Sequence, residues 1–106
     1  YFSTGQISIR VTDLKVISNL MNKLRSNPPS QIAGVSAAFE DLNLGLGALP
    51  PTDALKFTLS DGRTVIVRPS GTEPKLKCYL QAVSDSDSKS RSLLTELQAA
   101  MEEILS

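Results

Sequence analysis

Arg68-Pro69-Ser70-Gly71-Thr72-Glu73-Pro74-Lys75 gathers a guanidinium, two hydroxyls, a glycine and a second cation within eight residues. That is a donor set for a cluster of anionic oxygens. Arginine presents a rigid fork of N–H groups that matches phosphate bidentately. Ser70 and Thr72 add hydroxyl donors. Gly71 allows a sharp turn, so that successive backbone N–H groups can converge on an anion. Pro69 and Pro74 restrict the free loop, which lowers the entropy lost on closing around a ligand. As composition alone the stretch would pass for a polar turn. It lacks the glycines and the following helix of the Walker loop and of the dinucleotide fingerprint.

Other chemistry is poorly supplied. The chain has no histidine, so no Ser-His or Cys-His nucleophile can be assembled. One cysteine and scattered carboxylates do not compose a zinc site. Glu40-Asp41, Asp85 with Asp87, and Glu102-Glu103 are simplest as turns, caps or solvated helix faces. Cys78 falls on the apolar side of a strand-like run and is expected in the core. The net charge is zero, so no broad field favours nucleic acid or an anionic membrane. Positive charge is local, in Arg68, Lys75 and Lys77.

The elements that must position the loop follow from periodicity. Gln6 to Val11 alternates polar and apolar residues, as a half-buried strand does. Asp13 can cap a helix whose Leu14, Ile17, Met21 and Leu24 fall at helical spacing, with Val16 and Leu20 widening the stripe. Lys23 and Arg25 suit its C-terminal dipole, and Asn27-Pro28-Pro29 stops it. Val35, Ala37 and Phe39 alternate as a second strand. Residues 41 to 53 carry glycines and prolines without a period and read as a long loop. Leu55-Phe57-Leu59 alternates against Lys56-Thr58-Ser60, and Asp61-Gly62 turns the chain into an antiparallel Thr64 to Arg68. Leu76, Cys78, Leu80 and Ala82 then share one strand face, with Lys77, Tyr79 and Gln81 opposite. A final helix runs from the serine-rich stretch near Ser84 to about Leu105, with Leu93, Leu94, Leu97, Ala100, Met101, Ile104 and Leu105 on one side.

The order β-α-β-β-β-α predicts an α+β domain: an antiparallel four-stranded sheet with two main helices packed on one face. One conflict stands within this reading. A two-residue turn at Asp61-Gly62 pairs Leu55 with Arg68 and sets Arg68 on the face of Phe57 and Ile66. Either Arg68 lies past the edge of the core, or a bulge shifts the register.

The motif at 68–75, followed by Leu76-Lys77-Cys78-Tyr79-Leu80, resembles the phosphate-binding loop and following strand of the α-D-phosphohexomutase superfamily, in its phosphoglucomutase and phosphomannomutase branch. Leu49 to Leu55, Asp61-Gly62 and Leu24 to Pro29 resemble the fourth, C-terminal domain of those enzymes. The resemblance covers about Gln6 to Val83 and implies a sheet similar to the TATA-binding-protein fold. It implies that residues 1–106 are one phosphate-binding domain of a longer, multidomain polypeptide.

It also implies that the loop holds the non-reacting phosphate while hexose 1-phosphate and hexose 6-phosphate interconvert through a bisphosphorylated intermediate. The contacts carried over are Arg68, Ser70, the Gly71 backbone and Thr72, with Lys75 and Glu73 as possible supports. Many relatives have asparagine where Gly71 stands, so a backbone N–H must serve here. Glu73 should point away from the phosphate. The family's catalytic phosphoserine, its aspartate-rich Mg²⁺ loop and its sugar-discriminating loop belong to three other domains and find no counterpart in this sequence.

Alone, the chain is expected to be catalytically inert and to bind no cofactor or metal itself. Mg²⁺ and hexose 1,6-bisphosphate belong to the whole enzyme. Expected partners are a phosphosugar and the other three domains, with no nucleic acid and no membrane, in the cytoplasm. Two other readings compete: a free-standing regulatory module for a small metabolite, and an RNA-binding sheet. The second is disfavoured because only Tyr79 is placed to stack.

Overall fold

The computed structural model describes residues 1–41, 54–69 and 74–105. The elements run β1 (Phe2–Arg10), α1 (Leu14–Ser26), β2 (Gln31–Ile32), β3 (Val35–Asp41), β4 (Leu55–Leu59), β5 (Thr64–Pro69), β6 (Lys75–Val83) and α2 (Asp87–Leu105). The strands form one antiparallel sheet in the order β1-β6-β5-β4-β3-β2. The α+β class is as expected. The sheet has six strands, not four. The sequence holds five strand-like runs, one more than the order β-α-β-β-β-α counts; all five join the sheet, and the two-residue β2 extends it past β3.

Helix α1 starts after Asp13, which is still extended and whose Oδ1 accepts the Lys15 N–H at 2.9 Å. The backbone N–H of Asn27 donates to the Lys23 carbonyl at 3.0 Å, and Pro28-Pro29 follows. Ile17, Met21 and Leu24 are buried, whereas Val16 is exposed and lies off the stripe. Helix α2 is entered through Ser86, whose Oγ accepts the Lys89 N–H at 3.3 Å. It buries Ser90, Leu97, Met101 and Leu105. It packs over β1 and β6, and α1 packs over β5 and β6.

Strand alternation decides what faces these helices. Ile7, Leu55, Phe57, Leu59, Val65, Val67, Leu76, Cys78 and Leu80 join the helical side chains in one core. Burying each such side chain contributes about 1.5–3 kcal/mol. The residues between them form the other sheet face, where Thr4, Gln6, Ser8, Arg68, Tyr79 and Gln81 are exposed.

The β4–β5 turn resolves the register conflict. Leu59 donates to the Arg63 carbonyl at 2.8 Å, and Gly62 donates back to the Leu59 carbonyl at 2.9 Å. The connection therefore holds three residues, Ser60, Asp61 and Gly62, with Gly62 at φ +96°. This is the bulged form of the hairpin, and its third position favours glycine. The extra residue pairs Leu55 with Val67 and Phe57 with Val65. Arg68 moves off the core face as a result.

Arg63 enters the interior with this turn. It is 1% exposed, and its Nε donates to Asp61 Oδ2 at 2.9 Å. Its Nη1 donates to the Leu93 carbonyl at 3.0 Å and to Glu96 Oε1 at 3.4 Å. A buried guanidinium is tolerable only when its donors are satisfied. Here that requirement bolts the hairpin to α2. Burial raises the Asp61 carboxyl, but hydrogen bonds from Arg63 and its positive charge outweigh that effect and hold it below its ordinary 3.8.

Candidate functional site

Strands β5 and β6 are neighbours, and the 68–75 motif connects them. Arg68 occupies the penultimate position of β5 and Lys75 the first of β6. Ser70, Gly71, Thr72 and Glu73 lie outside the described residues, as does the loop expected over residues 41 to 53, except for Asp41, which is the last residue of β3. The described frame around the motif is the β5–β6 pairing. It is rigid: Pro69 pairs with Leu76, which is fully buried, and Val67 pairs with Cys78, also fully buried. The carbonyl of Pro74 accepts the Val11 N–H at 2.8 Å, which ties the start of β6 to the chain leaving β1.

The register brings cations together. Arg68 sits directly across from Lys77. On the other side of β6, Lys75 sits directly across from Arg10. By the strand alternation all four belong to the face without helices, at the end of the sheet where the motif connects β5 to β6. Like charges directly opposite one another in an antiparallel pair disfavour the sheet, by about 0.2–1 kcal/mol. A dianion at this corner would reverse that term. Arg68 is exposed, so its fork is open to solvent.

Arg68 and Lys75 are thus brought to one corner. Arg10 and Lys77 complete it. Lys77 was legible as local charge, but its place beside Arg68 needs the hairpin register. Arg10 had no sequence signal, because its proximity depends on the β1–β6 pairing.

Cys78 is fully buried, and burial pushes its thiol up to about 12, so it supplies no thiolate near neutrality. No three His, Cys, Asp or Glu side chains among the described residues converge as a metal site. Among the described residues no helix is long and apolar enough to cross a membrane.

A six-stranded antiparallel sheet with both helices on one face, and four cations at one corner of the other, defines a domain of the α+β class. Residues 7–104 match the family model for the phosphoglucomutase/phosphomannomutase C-terminal domain, and the chain belongs to that family. It is 44% identical to a probable phosphomannomutase of Haemophilus influenzae over 105 residues, covering 98% of this chain and 21% of the relative. A phosphoglucomutase of Staphylococcus epidermidis is 32% identical over 65% of this chain and 15% of its own length. One of Staphylococcus aureus is 36% identical over 62% of this chain and 14% of its own length. The chain thus spans about a fifth or less of the curated relatives it matches.

Proposed function

We propose that the 68–75 loop holds the phosphate of a hexose phosphate, or of a hexose bisphosphate, that is not being transferred within a multidomain phosphohexomutase. The observation that carries this reading is the cross-strand placement of Arg68 against Lys77 at the mouth of the loop, beside Lys75 and Arg10. The hydroxyls of Ser70 and Thr72 and the Gly71 N–H supply directed donors. Arg68 supplies a bidentate fork, and Lys75 and Lys77 supply field.

This donor set reads phosphate and is indifferent to the sugar attached to it. Such indifference suits an intermediate that must present either of its two phosphates to the same loop. Glu73 is assigned to the loop backbone and not to the ligand, since a carboxylate aimed at the phosphate would repel it. Bond making and breaking, and the choice of hexose, fall to domains beyond this chain. The chain by itself holds its ligand and catalyses nothing.

Charge-assisted hydrogen bonds contribute about 1.5–3 kcal/mol each, against an association cost of about 4–15 kcal/mol. An open site with a few such bonds therefore binds on the order of millimolar. Closure against neighbouring domains would exclude water and strengthen the same contacts.

The test is an amide-resolved NMR titration with glucose 1-phosphate, glucose 6-phosphate and unphosphorylated glucose. Both phosphates should shift the amides of Ser70, Gly71 and Thr72, and glucose should leave them unmoved. Arg68→Ala should abolish the shifts. Loop amides that stay fixed with both phosphates at tens of millimolar would remove the loop from the role.

A further inference from the structure

We propose that the helix-free face of the sheet carries a second site, a shallow trough beside Tyr79 that takes the ring of a neutral monosaccharide. The trough has a volume of about 450 Å³. That lies within the roughly 300–1,000 Å³ of small-molecule sites. Two cross-strand rows make its floor. Gln6, Tyr79 and Ile66 form one, and Thr4, Gln81 and Thr64 form the other. Strand spacing and rise set this floor at about 10 Å by about 7 Å.

The lining chemistry selects the ligand. None of these six side chains carries a charge at neutral pH, so the trough is not built for an anion. Tyr79 stands in the middle strand, 37% exposed, with its ring available as a platform. A pyranose offers an apolar C–H face to such a ring and a rim of hydroxyls around it. The amides of Gln6 and Gln81 can donate and accept, as can the hydroxyls of Thr4 and Thr64. Each can match a sugar hydroxyl in either sense, which a charged side chain cannot. Ile66 closes the floor beside the ring with an apolar surface.

A half-exposed tyrosine among amides and threonines is also ordinary for a solvated sheet face. The concavity distinguishes this one, because it sets both amides and both hydroxyls around one aromatic ring. The Lys77–Arg68 row follows one step further along the same face. The trough and the phosphate corner are thus adjacent but chemically separate, and the inference does not rest on the loop reading.

The experiment is an NMR titration of the chain with methyl α-D-glucopyranoside, inorganic phosphate, sorbitol and adenosine as separate probes. The glucoside should move the amides of Gln6, Ile66, Tyr79 and Gln81 in a saturable way and leave Arg68 and Lys75 unmoved. Phosphate should do the converse. Tyr79→Ala should weaken glucoside binding by about tenfold, while Tyr79→Phe keeps the ring and stays near wild type. Gln81→Leu tests the rim without touching the ring and should cost several-fold. The trough assignment is overturned if glucoside moves nothing at tens of millimolar, or if sorbitol produces the same shifts. It is likewise overturned if adenosine alone saturates the trough. Phosphate that fails to move Arg68 and its neighbours would sink the loop reading and leave this one standing.

Discussion

Val67 and Arg68 are adjacent in one strand and have opposite fates. Val67 is fully buried between Leu55 and Cys78, against the helices. Arg68 is exposed on the other face, across from Lys77. The same contrast runs through the sheet. One face spends its side chains on packing and holds the fold together. The other keeps cations and neutral polar groups in fixed positions at the surface. A period of two lets one strand serve both ends, so stability and recognition can be changed separately.

The largest effect should come from the packed face. Phe57 is fully buried, and its ring lies 5.3 Å from that of Phe39. Phe57→Ala should cost about 3–5 kcal/mol in denaturant unfolding. A loss under 1 kcal/mol would mean that this face is not the source of stability.

Arg63 sharpens the comparison, since it is a charge on the wrong side of it. Arg63→Ala should cost about 1–3 kcal/mol, because the Leu93 carbonyl and two carboxylates lose their donor. The cost is moderated by the exposure of Glu96 and Asp61, at 55% and 33%. Asp61 also sets a pH signature. Its folded carboxyl is held below 3.8, so its stabilising share is present above the unfolded value and is lost as pH falls through the folded one. Wild type should therefore lose stability below about pH 4 more steeply than Arg63→Ala. Parallel acid profiles would show that the pair contributes nothing.

The smallest effect is expected in the β2–β3 turn, at the sheet edge opposite the cationic corner. Ala33 has φ +54° and Gly34 φ +75°, the two left-handed positions of a tight hairpin. Alanine is strained there by about 1–2 kcal/mol. Ala33→Asn should recover part of that, raising stability by about 0.5–1 kcal/mol with no change in ligand binding.

Much of this was legible in the sequence because the alternations were long. The apolar sides of β4, β5 and β6, the Asp13 cap, the proline stop after α1 and the buried Cys78 all followed from spacing. The hairpin register was not legible, since Asp61-Gly62 fits both a two-residue turn and a bulged three-residue one. One residue decides which face Arg68 occupies. β2 is too short to alternate, and its Ala33-Gly34 turn is atypical. Residues Phe2 to Gly5 carry no periodic signal and become strand by pairing with β6 from Leu80 to Val83. Burial of Arg63 was hidden because its partners are 30 and 33 residues away. Within the candidate site, residue types pointed to phosphate, but the convergence of Arg10 and Lys77 on the corner required the sheet.

The most direct test compares Val67→Ala with Arg68→Ala in denaturant unfolding, with and without glucose 6-phosphate at about twenty times a millimolar dissociation constant. Ligand that binds only the folded chain should add on the order of 1–2 kcal/mol. Val67→Ala should start about 1–3 kcal/mol less stable and gain the full increment. Arg68→Ala should start within about 0.5 kcal/mol of wild type and gain none. Equal gains in both variants would contradict the division of labour between the two faces.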